Sequence, residues 1–279
     1  MKNKSLYIWK ISLFVFVLLI SSISAYGQNY EPLELAEKIF SPKGMKNVKR
    51  YATGEYKGRP TGKDFTKGVI TTFRILNQND STAVVNMTLT NKSMEGADCY
   101  LHFVKQNSTW KMCAFRSLAQ TGIIYLVIEE FEKMTPEQIK EYAKDKNEEF
   151  DFDFELGNCK LTIAFDDTII NHFLKNQSEF ERLKDLALKQ LETEDANANT
   201  NRNINLIEDL KTDYRKLLIN YVSISSETGK GINFSIGGIL DNAVGYLFVK
   251  DKKDLPIINP DNIIMLREIG NGWYIYKTT

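Results

Sequence analysis

Asp98, Tyr100 and His102 sit two residues apart in the run DCYLHFVKQNSTWKMCAFR, so on a β-strand they form one row with about 7 Å between neighbours. A carboxylate, a phenol and an imidazole in a line could act as base, hydrogen-bond donor and proton shuttle, provided that face of the strand lines a concavity. The opposite row, Cys99, Leu101 and Phe103, is apolar. Antiparallel strands with one wet face commonly alternate this way, so the simpler expectation is a solvent-facing polar row over a core-facing apolar one. Asp98, Tyr100 and His102 therefore stand as the candidate catalytic residues beside the expectation that no residue is catalytic.

The remaining reactive side chains assemble into no signature. The chain has only two histidines, His102 and His172, and its cysteines lack paired spacing, so no metal site and no cofactor is expected. His172 falls among apolar helical positions and reads as a packing or surface residue. The acids of EEFDFDFE alternate with phenylalanines as a half-buried strand would, without the oxygen-ligand loop of a calcium site. Gly229, Gly231, Gly237 and Gly238 lack the strand-to-helix setting of a phosphate loop. A two-residue turn at Asn107 and Ser108 would oppose Cys113 to His102 and Cys99 to Arg116, too far apart for a disulfide, and Cys159 has no evident mate.

The elements that must position these residues begin after a leader. MKNKSLYIWK carries lysines, ISLFVFVLLI is apolar, and SSISAYG is small and polar, the order of a secretory signal peptide cleaved after Gly27. Its apolar run is shorter than the roughly 20 residues that span a bilayer, so no membrane span is expected after cleavage. Cleavage removes three lysines and leaves 33 basic against 36 acidic side chains, without a basic stripe, which argues against nucleic acid as a partner. The expected location is periplasmic or secreted.

EPLELAEKIF reads as a helix with proline in its first turn, followed by a Gly- and Pro-containing loop through Lys67. Strand patterns follow at 68–76, 81–90, 98–104 and 109–116, separated by turn chemistry, which predicts an antiparallel meander. Residues 118–134 have helical spacing, and Thr135-Pro136-Glu137-Gln138 opens a second helix with a capping box. Strands are expected at 150–156 and 159–163, then helices over 167–191, capped by Asp166 or Asp167, and 204–220. The chain ends in strand patterns closing on the hairpin Gly270-Asn271-Gly272. The expected fold class is α+β in two domains, 28–146 and 147–279, each with helices packed on a curved antiparallel sheet.

The order helix, loop and four-stranded meander ending in W-K-M-C-A-F resembles the NTF2-like (cystatin-like α+β) superfamily over residues 31–134. That resemblance implies a helix packed into a concave sheet over a cone-shaped pocket, used by some members for isomerase or dehydratase chemistry and by many for binding. The second half is similar to domains of uncharacterised bacterial exported proteins whose last hairpin ends in a Gly-Trp-Tyr-x-Tyr run, here Gly272, Trp273, Tyr274 and Tyr276. The functional expectation is an exported, non-catalytic protein binding a small apolar ligand or an envelope protein partner. The alternative is an NTF2-like isomerase or dehydratase using Asp98, Tyr100 and His102.

Overall fold

Leu35, Ala36 and Ile39 recur at helical spacing behind Pro32, and they close the inner face of helix α1 (Pro32–Ile39), where the missing proline N–H costs nothing. The computed structural model describes residues 29–93, 95–146, 150–194, 205–225 and 230–279. The expected signal peptide, the boundary at 147 and the Asn-rich stretch 195–204 lie outside those residues. Strands β1 (Ile70–Gln78), β2 (Thr82–Thr90), β3 (Gly96–Gln106) and β4 (Thr109–Ser117) form an antiparallel sheet in that order, as the turn chemistry predicts. Helix α1 and the loop after it cover one face, packing Leu35, Phe40, Tyr51 and Tyr56 on Met87, Leu101, Phe103 and Met112.

Helices α2 (Thr121–Lys133) and α3 (Pro136–Lys144) follow, and the Thr135/Gln138 capping box forms as its sequence suggests. The next segment departs from the pattern. Residues 152–162 form helix α4 (Phe152–Thr162) and not the two expected strands. Asp151 caps it by accepting from the Phe154 N–H at 3.1 Å, and Asp153 and Glu155 place negative charge on its positive end. The acids that mimic strand alternation are thus first-turn helix residues, while Phe154 and Leu161, seven apart, make the buried stripe.

The expected helix 167–191 is broken into α5 (Asp166–Lys175) and α6 (Gln177–Glu194). At the break the Asn176 side chain donates to the His172 carbonyl at 2.9 Å, a local competitor of the helical ladder. Phe173 and Phe180 still meet, stacked at 4.8 Å. The expected helix 204–220 contracts to a 3₁₀ turn and the six-residue α7 (Lys211–Lys216), because Leu218 takes φ +58° and turns the chain into a strand absent from the sequence reading, β5 (Tyr221–Ile224). Strands β6 (Ile232–Ile239), β7 (Asn242–Phe248), β8 (Ile263–Gly270) and β9 (Trp273–Thr278) complete an antiparallel sheet ordered β5-β6-β7-β9-β8. Gly270, Asn271 and Gly272 all take positive φ in its final hairpin.

The fold is α+β with two antiparallel sheets. One large core joins them: Val84 and Tyr100 of the first sheet share it with Leu161, Phe173, Phe180, Tyr246 and Trp273 of the second half. The first sheet is therefore covered on both faces, by α1 on one side and by the second half on the other.

Candidate functional site

Asp98, Tyr100 and His102 do share a face, and it faces neither water nor a pocket. They are 7%, 0% and 4% exposed, pressed against the N-terminus of α5 and the edge of the second sheet. Asp98 Oδ2 accepts the Asp166 backbone N–H at 2.7 Å, so a β3 carboxylate caps a helix 68 positions away. This corrects the expectation that Asp166 or Asp167 caps α5. The residue at the cap position is Phe165, which has no side-chain acceptor to offer. Asn86 donates to Asp98 Oδ1 at 3.1 Å, and Thr88 donates to the same oxygen.

Tyr100 donates its hydroxyl to Asp166 Oδ1 at 2.8 Å, and the Lys277 ammonium lies 2.8 Å from that same oxygen, with both members of the ion pair almost fully buried. Burial pushes the Asp166 carboxyl up and the neighbouring Asp98 carboxylate adds to it, while Lys277 and Tyr100 pull it back. Burial likewise holds the Tyr100 phenol well above its ordinary range. At the exposed edge of this seam Asp167 receives Arg74 from β1 through both oxygens, at 2.9 and 3.3 Å, and Arg267 from β8 at 2.7 Å. His102 is depressed to about 4 by burial and then by Arg116, and its Nε2 has no hydrogen-bond partner among the described residues. The raised phenol and the depressed imidazole both lie buried in the closed seam between the two sheets.

The register that builds this row contains a bulge. Phe103 pairs with Met112 but His102 pairs with Ala114, leaving Cys113 as the extra residue with its thiol 3.3 Å from the His102 carbonyl. Cys99 consequently faces Ser117 and not Arg116, and Cys99, Cys113 and Cys159 are all free. Burial and the Asp98 carboxylate push the Cys99 thiol up to about 12. In the native protein at pH 8, Cys99 is expected to resist iodoacetamide until denaturant is added, which peptide mapping of the alkylated cysteines would check.

The concavity lies elsewhere, on the outer face of the second sheet. Along β9, Trp273, Ile275 and Lys277 point to the helices, so Tyr274, Tyr276 and Thr278 point away. There a cavity of about 260 Å³ is lined by Ala243, Leu247, Pro256 and Ile263 and by polar residues that include Tyr221, Asn233, Asp241, Tyr276 and Thr278. Gly245 makes room for the Tyr276 side chain: a Cβ there would lie 2.8 Å from the Tyr276 ring and hydroxyl and 2.7 Å from the Phe234 carbonyl. Across that glycine the Tyr276 hydroxyl donates to Asn233 Oδ1 at 2.7 Å. Thr278 Oγ1 accepts from the Ala243 N–H at 2.8 Å and donates to the Asp241 carbonyl.

A larger hollow of about 530 Å³ lies between the start of α4 and α7. Its cationic groups are already engaged: the Arg215 guanidinium stacks 3.7 Å over the Phe154 ring and lies 3.5 Å from Glu155, and Lys211 and Lys216 lie 3.4 Å from Glu208 and Asp213. Among the described residues there is no cluster of three or more metal-ligating side chains and no helix long and apolar enough to cross a membrane.

Sequence reasoning singled out the closing Trp-Tyr-x-Tyr run but missed Asn233, Asp241 and Thr278, which only strand order brings beside Tyr276. It also missed Lys277, although a lysine on the same face as Trp273 and Ile275 is a signal for a buried ion pair. No family model, no curated protein and no solved structure matches the chain.

Proposed function

We propose that the protein binds a small ligand in the outer cavity of the second sheet and performs no covalent chemistry there. The lining carries the reading: a concavity where the apolar side chains of Ala243, Leu247, Pro256 and Ile263 meet a larger set of convergent polar groups can hold and orient a small ligand. The only carboxylate among its described lining residues is Asp241, and histidine, cysteine, lysine and arginine are missing from it. Asp98, Tyr100 and His102, the residues best suited by type to move protons, are engaged in the seam between the sheets, which favours binding over isomerase or dehydratase chemistry. With an exported chain, such a ligand would be met in the envelope or outside the cell.

Thermal unfolding of the full chain against a library of small neutral fragments tests this. Ligands at about 100 times their Kd are expected to raise Tm by on the order of 5 °C. The variant Ala243→Phe, which fills the cavity, is expected to lose that response. Hits that stabilise this variant as strongly as the wild type would place binding somewhere else and end the proposal.

A further inference from the structure

We infer that the ligand of this cavity is a neutral, hydroxyl-rich ring, the chemical class of a monosaccharide unit; the inference rests on the cavity being the binding site. Its charge is the first argument. Phosphates and carboxylates are recognised by arginine, lysine or helix N-termini, and among the described lining residues the one formal charge is the negative Asp241. An organic cation would need an aromatic cage that removes it from water, whereas Asp241 sits exposed in the β6–β7 turn. A neutral occupant is what the charges leave.

Donor and acceptor content is the second argument. Ser225, Asn233, Asn262 and Tyr276 place hydroxyls and amides around a space that also contacts Leu247 and Ile263, while the Thr278 hydroxyl is engaged by Ala243 and Asp241. Hydroxyls and amides both donate and accept, so they match a ring of hydroxyl groups. The Tyr276–Asn233 hydrogen bond across Gly245 holds two of them in place. Tyr221, 40% exposed on the edge strand β5, adds an aromatic ring to the lining, a residue type suited to the C–H side of such a ring.

Size is the third. About 260 Å³ falls just under the roughly 300–1,000 Å³ of sites for drug-sized ligands, which suits one ring. Leu240 and Ile257 are 89% and 83% exposed, and each adjoins in sequence a lining residue, Asp241 and Pro256. Leu240 also holds φ +57°, a conformation uncommon for leucine. Exposed apolar side chains next in sequence to lining residues suit the aglycone or next residue of a glycoside.

Saturation-transfer NMR on the full chain, with methyl glucoside, methyl N-acetylglucosaminide, phenol, tetramethylammonium and inorganic phosphate as probes, tests the class. A glycoside is expected to bind with Kd on the order of 1 mM. Asn233→Leu and Tyr221→Ala are each expected to weaken it at least tenfold, while phenol binds Asn233→Leu as it binds the wild type. Binding of phenol or tetramethylammonium that Ala243→Phe abolishes, with no glycoside binding, overturns the saccharide class and leaves the cavity standing as the site. Silence from all five probes overturns both. Phosphate binding alone contradicts the charge argument and overturns the class as well.

Discussion

Replacing Lys277 with methionine is expected to lower the unfolding free energy by about 3–5 kcal/mol at neutral pH, because it strands the Asp166 carboxylate in a seam where water cannot reach it. Tyr100 alone would then answer a carboxylate whose Oδ2 already has no hydrogen-bond partner among the described residues. The sign with pH follows from the direction in which burial moves Asp166. Its folded pKa is raised, so the associated stability is complete below the unfolded value near 4 and is lost as pH rises through the folded value. Removing Lys277 raises the folded value further, so the deficit should be largest near pH 7 and shrink toward pH 4. The double variant Lys277→Met with Asp166→Asn should recover most of the loss, as replacement of a whole buried pair often does. Urea unfolding at pH 7 and pH 4.5 checks this, and a single variant within 0.5 kcal/mol of the wild type would mean that the pair does not hold the sheets together (about the scatter of neutral surface changes).

Acid unfolding should in turn expose His102. Burial and Arg116 hold its folded pKa at about 4, below the ordinary 6.5, so its stability is present above pH 6.5 and is lost as pH falls through 4. The difference amounts to about 3 kcal/mol at 1.36 kcal/mol per unit. Asp166 acts in the opposite sense over its own range, and His172, also depressed by burial, acts in the same sense as His102. Comparing wild type with His102→Gln cancels both. Their difference in unfolding free energy is expected to change by about 3 kcal/mol between pH 7 and pH 4, the variant being the flatter. Parallel pH profiles would refute a buried, neutral imidazole at this position.

The first half was largely legible because its elements obey local rules. Thr135 and Gln138 cap α3, Pro32 opens α1, and turn residues separate β1 to β4. Reading failed where a distant partner decides. The Phe-Asp alternation at 150–154 satisfies a strand by itself, and only the Asp151 cap and the packing of Phe154 and Leu161 make it a helix. The polar row on β3 carries no mark of what covers it, since Asp166 and Lys277 come from positions 68 and 179 residues away. The bulge at Cys113 was equally hidden, because one extra residue in a strand leaves no trace in alternation until the partner's register is known.

Strand β9 lies between β7 and β8, and its two sides serve different ends: Lys277 reaches Asp166 while Tyr276 reaches Asn233. A slip of this strand by a single position would send a phenol toward the helix cap and an ammonium into the outer hollow. Misthreading is thereby penalised twice over, since the same error would break the buried ion pair and the Tyr276–Asn233 hydrogen bond together.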